Sequence, residues 1–299
     1  MQKRIRGLKI GVILTVVLSL ATVVMVPPSM VPAIISEVGD GGLSLTTADF
    51  SAVPQSVVDD AAGLAIELFG GCQKECDDFV DQLLATYLEA EDKDFVMLFN
   101  SGGWGWNLLE ISPDWMSISA GIQSELEDSG YTSLWLNYRR TIDPLKEYLD
   151  ELMSMISFYP QKAKDLACRV EFLTAHIPNI RVILGGESMG TIFCDSTMNL
   201  LKDNPHVYSI QTGPPFWHKN VMLERTLVIR SGGIIPDSFS RGDIPTMLCV
   251  TLEDFFGFPR RELEAGNILL SIGAPGHEYW WQDVGVSSRI TDFLEQMTA

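Results

Sequence analysis

The feature of this sequence that most strongly indicates a catalytic residue is a serine between two glycines. Residues Gly186–Gly190 read G-E-S-M-G and match the pattern G-x-S-x-G. In that pattern the serine lies on a tight turn from a strand to a helix, and the glycines two positions away on each side relieve clashes at the bend. Because the apolar run Val182-Ile183-Leu184 precedes the match and a helix-forming segment follows it, we predict that Ser188 is a nucleophile.

A serine hydroxyl needs a general base, usually a histidine, and a carboxylate that orients the base. His277, in a Pro-Gly-His loop just before the closing helix, is our predicted base. His218 comes too early in the chain for that role, and we interpret it as a surface-loop histidine, with a place in the pocket lining as the alternative.

The orienting acid should follow the last strand before the histidine loop, because G-x-S-x-G enzymes place serine, acid and histidine in that order. We read 246–252 as this strand, so Asp254 is the predicted acid and Glu253 its neighbouring alternative. Asp237 and Asp243 are less favoured because they lie before the strand.

Attack on a carbonyl also needs two N–H donors for the negatively charged oxygen of the intermediate. The backbone N–H of Met189, directly after the nucleophile, is the first predicted donor. The second is the N–H of Gly103 or Trp104, in the glycine-rich segment that follows an apolar strand at 95–100.

The elements that would position these residues alternate between strands and helices. Helices are predicted over 55–90, broken at Gly70-Gly71, and further strands at 133–137, 181–185 and 206–211, each followed by a loop or helix. Such alternation predicts the α/β class, with a mostly parallel sheet flanked by helices. Ligands of such sheets bind beyond the carboxyl ends of the strands, where the predicted site residues lie.

From residue 95 to the C-terminus the chain resembles the α/β-hydrolase superfamily, in particular its lysophospholipase and serine-aminopeptidase-like members. The resemblance rests on Asn100–Gly103, Asn137-Tyr138-Arg139, the Gly186–Gly190 motif, Asp254 and Gly276-His277. It implies acyl transfer to water through an acyl-serine, without metal or cofactor. The sequence departs from the family at Ser101-Gly102, where His-Gly is usual, and in the helical 55–90 segment, which suggests a sheet shortened at its N-terminal edge.

We therefore expect a serine hydrolase that cleaves an ester, thioester or amide, with a carboxylic ester favoured. The alternatives are an acyltransferase with the same triad and a non-catalytic, membrane-tethered binding protein on a hydrolase scaffold. We expect residues 212–245 to form a small lid over the hydrolase domain, 55–299, and its apolar residues suit a small, partly apolar acyl substrate.

The N-terminus has the features of a targeting segment. Four basic residues precede an apolar run from Ile10 to Val26, and no small-residue cleavage site follows it. We predict that 1–27 is a signal anchor, or alternatively a cleaved signal peptide, and that 28–54 is a linker. The catalytic domain would then lie outside the cytoplasm, bound to the membrane or secreted.

Composition limits the partners. The net charge of −18 over 299 residues would repel nucleic acid, so we expect no nucleic-acid partner. The cysteines show no zinc-ligand spacing, so no metal site is expected. Cys168, Cys194 and Cys249 are predicted to be buried thiols; Cys72 and Cys76 could pair only with strain if their segment is helical.

Overall fold

The computed structural model describes residues 50–140, 153–154, 156–220, 223–232, 235–256, 267–268 and 272–298. The predicted membrane anchor lies outside these residues, as does nearly all of the predicted linker. Within the described part of the chain, no helix is both long and apolar enough to cross a membrane.

A parallel sheet of five strands forms the centre of the described structure. Its strands are β1 (Phe95–Asn100), β2 (Ser133–Asn137), β3 (Arg181–Glu187), β4 (Val207–Thr212) and β5 (Thr226–Ile229). They lie in the order β2-β1-β3-β4-β5, and each neighbouring pair is parallel. The prediction of a mostly parallel sheet flanked by helices is confirmed.

Helices connect these strands and cover the sheet. They are α1 (Gln55–Phe69), α2 (Gln73–Ala90), α3 (Pro113–Asp128), α4 (Pro160–His176), α5 (Met189–Leu200), α6 (Ser238–Arg241), α7 (Ile244–Phe255) and α8 (Val284–Thr298). Two short 3₁₀ helices span Phe50–Ala52 and Leu109–Ile111, and a small antiparallel pair joins β6 (Asn267–Ile268) to β7 (Ile272–Gly273). The predicted break between α1 and α2 is confirmed, because Gly70 ends α1 in the left-handed conformation.

The two faces of the sheet are buried by different helices, as the alternation of β1 requires. Val96 and Leu98 pack into a core with residues of α1, α2, α4 and α5. Phe95, Met97 and Phe99 point to the other face and pack with residues of α3 and α8. Burial on both faces explains why β1 is apolar along nearly its whole length rather than alternating with polar residues.

Two sequence predictions are wrong in the C-terminal half. Residues 246–252, predicted as a strand, lie in α7, which exposes Leu248 and Leu252. The segment 212–245, predicted as a lid, contains β5, which is a strand of the main sheet. The last strand before the histidine loop is therefore not the one that the sequence suggested for positioning the acid.

The described cysteines are free thiols. Cys76, Cys168 and Cys194 are buried, whereas Cys72 is exposed at the start of α2. Cys249, predicted to be buried in a strand, is exposed on α7.

Candidate active site

Ser188 lies between β3 and α5 in a backbone conformation that L-residues rarely adopt. Its φ is 49° and its ψ is −116°. Such a residue costs free energy and persists only where its surroundings hold it, which is the condition expected of a nucleophile on a strand-to-helix turn. The Ser188 N–H donates to Thr212 O at 2.9 Å and so ties the turn to the end of β4.

The two flanking glycines are required by close packing. A Cβ on Gly190 would lie 2.2 Å from Asn100 O, and one on Gly186 would lie 2.8 Å from Cys194 Sγ. Both distances are shorter than non-bonded atoms allow, so a side chain at either position would displace the turn. The spacing of the G-x-S-x-G pattern therefore has a local steric cause in this chain.

His277 lies on the loop after β7 and is 6% exposed. A Cβ on Gly213 would lie 2.6 Å from His277 Cε1, so the imidazole packs directly on the backbone that follows β4. Ser188 is hydrogen-bonded to Thr212, the residue before Gly213. The predicted nucleophile and the predicted base are thus brought to the same two residues at the carboxyl end of β4.

The carboxylate on His277 belongs to Asp237. Asp237 Oδ2 lies 2.9 Å from His277 Nδ1 and accepts a hydrogen bond from the Tyr279 hydroxyl at 2.6 Å. Asp237 Oδ1 accepts from the backbone N–H of Phe239 at 2.8 Å and of Ser240 at 3.0 Å, which caps α6. With four hydrogen bonds, this fully buried carboxylate is held in one orientation.

The pKa values of the pair are shifted in opposite directions. Burial raises the pKa of Asp237, but the His277 charge and the hydrogen bonds outweigh it and lower this pKa below its ordinary value. Burial lowers the pKa of His277, but the carboxylate of Asp237, followed by those of Glu187 and Asp114, raises it above its ordinary value. The arrangement therefore favours an ionised Asp237 and stabilises a protonated imidazole.

The structure does not support the reason for choosing Asp254 as the acid, which was that Asp254 follows a strand. Asp254 follows no strand, because it lies near the end of α7. The sequence had Asp237 as a less favoured candidate only because it preceded the supposed strand 246–252. Asp237 follows β5, a strand of only four residues that the sequence analysis did not predict. The available signal was the segment Pro-Asp-Ser, in which Asp237 is a typical helix N-cap residue.

The other ring nitrogen of His277, Nε2, is buried without a hydrogen-bond partner among the described residues. Ser188 Oγ is therefore not hydrogen-bonded to it. Hydrogen bonds between a nucleophile and its base are often loose without substrate and tighten when substrate binds. The geometry thus leaves free the nitrogen that a serine–histidine proton transfer would use.

The glycine-rich loop after β1 lies against Ser188 at Gly102. A Cβ on Gly102 would lie 3.0 Å from Ser188 Cβ, and the Gly102 N–H donates to Glu187 Oε2 at 3.2 Å. Gly103 and Trp104, the predicted donors, are the next two residues of this loop, and Trp104 is buried. Met189, the other predicted donor, is the first residue of α5, where backbone N–H groups have no acceptor within the helix.

Two further carboxyl groups lie near His277. Burial, followed by the charge of Asp114, raises the pKa of Glu187 to about 7. Burial also raises the pKa of Asp114, whose Oδ1 accepts from the Trp115 N–H at 2.8 Å. Glu187 and Asp114 therefore add to the effect of Asp237 on the base. Nothing in the sequence singled out either residue beyond the place of Glu187 in the motif.

His218 is not the surface histidine that the sequence predicted. Its Nε2 lies 2.7 Å from Asp195 Oδ2, and both side chains are nearly buried. Asp195 lies on α5, about two helical turns beyond Ser188. This second pair is bound to Gln211, near the carboxyl end of β4, because Gln211 Nε2 donates to Asp195 Oδ1.

Within the described residues, no group of three or more His, Cys, Asp or Glu side chains has the arrangement of a metal site.

Comparisons with known proteins identify no family. No family model matches the chain, and no curated protein matches it. Among solved structures, the chain is similar to a Trichoderma reesei cutinase in complex with a C11Y4 phosphonate inhibitor. The identity is 14%, the TM-score is 0.39, and the match covers 83% of this chain and 93% of the cutinase chain.

Proposed function

We propose that the protein is a serine hydrolase of the α/β-hydrolase type that cleaves carboxylic esters, with Ser188, His277 and Asp237 as its triad. The observation that carries the proposal is the meeting of two independent features at Thr212 and Gly213. One is a serine on a positive-φ turn that is hydrogen-bonded to Thr212. The other is a buried histidine packed on Gly213, with a carboxylate on its Nδ1 and no partner on its Nε2.

The proposed reaction has two acyl transfers. His277 Nε2 takes the Ser188 Oγ proton as Oγ bonds to the ester carbonyl carbon, and the imidazolium returns this proton to the departing alcohol. A water molecule then attacks the acyl-serine and gives one proton to His277. His277 returns this proton to Ser188 Oγ as the carboxylic acid leaves. Asp237 keeps Nδ1 protonated and stabilises the imidazolium throughout.

The proposed donors for the intermediate's oxyanion are the Met189 N–H and an N–H of the loop after β1. We propose Gly102 as the loop donor in place of Gly103 or Trp104, because Gly102 lies against Ser188. A substrate oxygen at this position would compete with Glu187 Oε2 for the Gly102 N–H.

Aromatic rings beside the base support a partly apolar acyl substrate. Phe239 packs edge-on against the imidazole of His277, with centroids 4.9 Å apart, and Trp217 packs on Phe239 at 5.4 Å. Phe216 extends this group beyond Trp217. Such rings favour contact with an acyl chain over contact with a charged group.

The test is hydrolysis of short-chain p-nitrophenyl esters by the full chain and by Ser188→Ala, alongside labelling by a fluorophosphonate probe. We expect the parent to hydrolyse the esters and to label, and the variant to do neither. A folded parent that does neither would contradict the proposal. Esterase activity retained by Ser188→Ala would contradict the assignment of the nucleophile. Product analysis with added alcohols or amines separates hydrolysis from acyl transfer to another acceptor.

A further inference from the structure

Arg140 is a buried arginine, 4% exposed, that lies just after β2 and contacts the loop after β1. Its Nη1 donates to Ser101 O at 2.8 Å, and its Nη2 donates to Gly103 O at 3.3 Å. Its backbone N–H donates to Gly105 O at 3.0 Å. Arg140 thus binds three carbonyl oxygens of the five-residue segment 101–105, which we call the oxyanion loop.

The orientation of these carbonyls determines where the N–H groups of the loop point. In a trans peptide, the C=O of one residue and the N–H of the next point in opposite directions. Because Arg140 binds Ser101 O, the Gly102 N–H must point away from the guanidinium. The Gly102 N–H donates instead to Glu187 Oε2 at 3.2 Å, on the side of the loop that faces Ser188.

The guanidinium is itself held in place. It lies over the rings of Tyr159 and Phe193, 5.3 and 5.5 Å from their centroids. The Lys162 ammonium donates to the Arg140 carbonyl. Gly105 leaves space for the side chain, since a Cβ there would lie 2.7 Å from Arg140 Cζ.

We propose that Arg140 is the positioning residue of the oxyanion loop: it holds the carbonyls of Ser101 and Gly103 away from the site, so that the Gly102 N–H faces the reacting carbonyl. The inference rests on the proposed hydrolase function and adds to it a residue that lies outside the triad. Arg140 acts through the loop. A lysine could not replace it, because a single ammonium lacks the planar fork that binds two acceptors at fixed geometry.

The test compares Arg140→Gln and Arg140→Lys with the matched control Arg181→Gln in the full chain. Arg181 also lies over two aromatic rings, Phe95 and Tyr131, at 5.3 and 5.7 Å, but at the opposite end of the sheet. We expect both Arg140 variants to lose about 10- to 100-fold in kcat, with KM changed less than about threefold. Arg181→Gln should retain the parental kcat.

A second readout separates positioning from a general structural effect. An alkylboronic acid that forms a tetrahedral adduct on Ser188 places an oxygen where the oxyanion would lie. We expect its affinity to fall by the same factor as kcat in both Arg140 variants. If Arg140→Gln fails to fold, the more conservative Arg140→Lys, which keeps the positive charge but not the planar fork, should give the same parallel loss.

The outcomes distinguish the two proposals. Parental kcat in a folded Arg140→Gln variant, full activity in Arg140→Lys, or a loss confined to KM would overturn the role of Arg140 while leaving the hydrolase function in place. A folded parent that neither hydrolyses esters nor binds the boronic acid would overturn the hydrolase function, and the role of Arg140 with it.

Discussion

Two short His–Asp pairs, one buried and one nearly buried, lie in the described part of the chain, and they differ in which ring nitrogen meets the carboxylate. His277 meets Asp237 through Nδ1, at 2.9 Å, whereas His218 meets Asp195 through Nε2, at 2.7 Å. The first pair lies at the carboxyl end of β4, where His277 packs on Gly213, next to the Thr212 carbonyl that accepts from Ser188. The second joins helix α5 to the chain that follows β4.

The surroundings of the second pair are those of a structural network. Asp195 Oδ1 accepts from Gln211 Nε2 at 2.8 Å, and Gln211 Oε1 accepts from Asn220 Nδ2 at 2.8 Å. Arg230 in turn donates to Asn220 Oδ1. These groups satisfy one another, which is what a buried polar network must do to be stable.

The first pair differs because one of its polar atoms is left over. Four hydrogen bonds satisfy Asp237, yet His277 Nε2 has no partner among the described residues. A short His–Asp contact is therefore not sufficient to identify a general base. The free nitrogen and the adjacent strained serine are what distinguish the catalytic candidate.

Replacing the two histidines should give the largest difference between the pairs. We expect His277→Ala to lower the kcat/KM for ester hydrolysis by about 10⁵-fold, because loss of the base removes most of the triad's contribution. His218→Ala should change it less than about tenfold. Steady-state kinetics with a p-nitrophenyl ester measures both, and equal losses in the two variants would erase the distinction.

Replacing the acid of the structural pair should affect stability instead. Asp195→Ala leaves the partners of a buried carboxylate unsatisfied, so we expect the free energy of unfolding to fall by about 3 kcal/mol. Urea denaturation followed by circular dichroism measures this change. A variant as stable as the parent would show that the network around Asp195 does not stabilise the fold.

The smallest expected effect is a shift in the pH profile. Catalysis needs neutral His277, whose pKa is raised, so kcat/KM should fall as the pH drops through a value above the ordinary histidine pKa of 6.5. Glu187→Gln removes a negative charge that raises this pKa, and the acidic limb should therefore move to lower pH, by less than about one unit.

The shape of that limb provides a further check. Because its pKa is raised to about 7, the Glu187 carboxyl ionises in the pH range of the acidic limb. The acidic limb of the parent's kcat/KM profile should therefore be broader than that of a single ionising group. Glu187→Gln should give a single ionisation. A limb that moves to higher pH in the variant would contradict the assigned electrostatics.

The sequence predicted four of the five strands of the central sheet, and the tight turn at Ser188, because these features leave local signals. Strand β1 and residues 182–184 of β3 are apolar runs, and the glycines around Ser188 are required by close contacts with Asn100 and Cys194. The proposed base also has a local sequence signal, since His277 lies in the only Pro-Gly-His segment of the sequence.

The proposed acid, Asp237, was not predictable in the same way. Residues 246–252 form an unbroken, mostly apolar run, which periodicity alone cannot assign to a strand rather than a helix. The helix begins there because Asp243 accepts from the N–H and hydroxyl of Thr246. Asp237 is identified only by its contact with His277, 40 residues further along the chain.

The choice between Asp237 and Asp254 is the most direct test of this account. The measurement is the rate at which a fluorophosphonate labels Ser188 in the parent, in Asp237→Asn and in Asp254→Asn. We predict a rate reduced by about 10²-fold or more in Asp237→Asn, because the imidazole loses the carboxylate that fixes its tautomer, and a parental rate in Asp254→Asn. A parental rate in a folded Asp237→Asn variant, with slow labelling of Asp254→Asn, would contradict it.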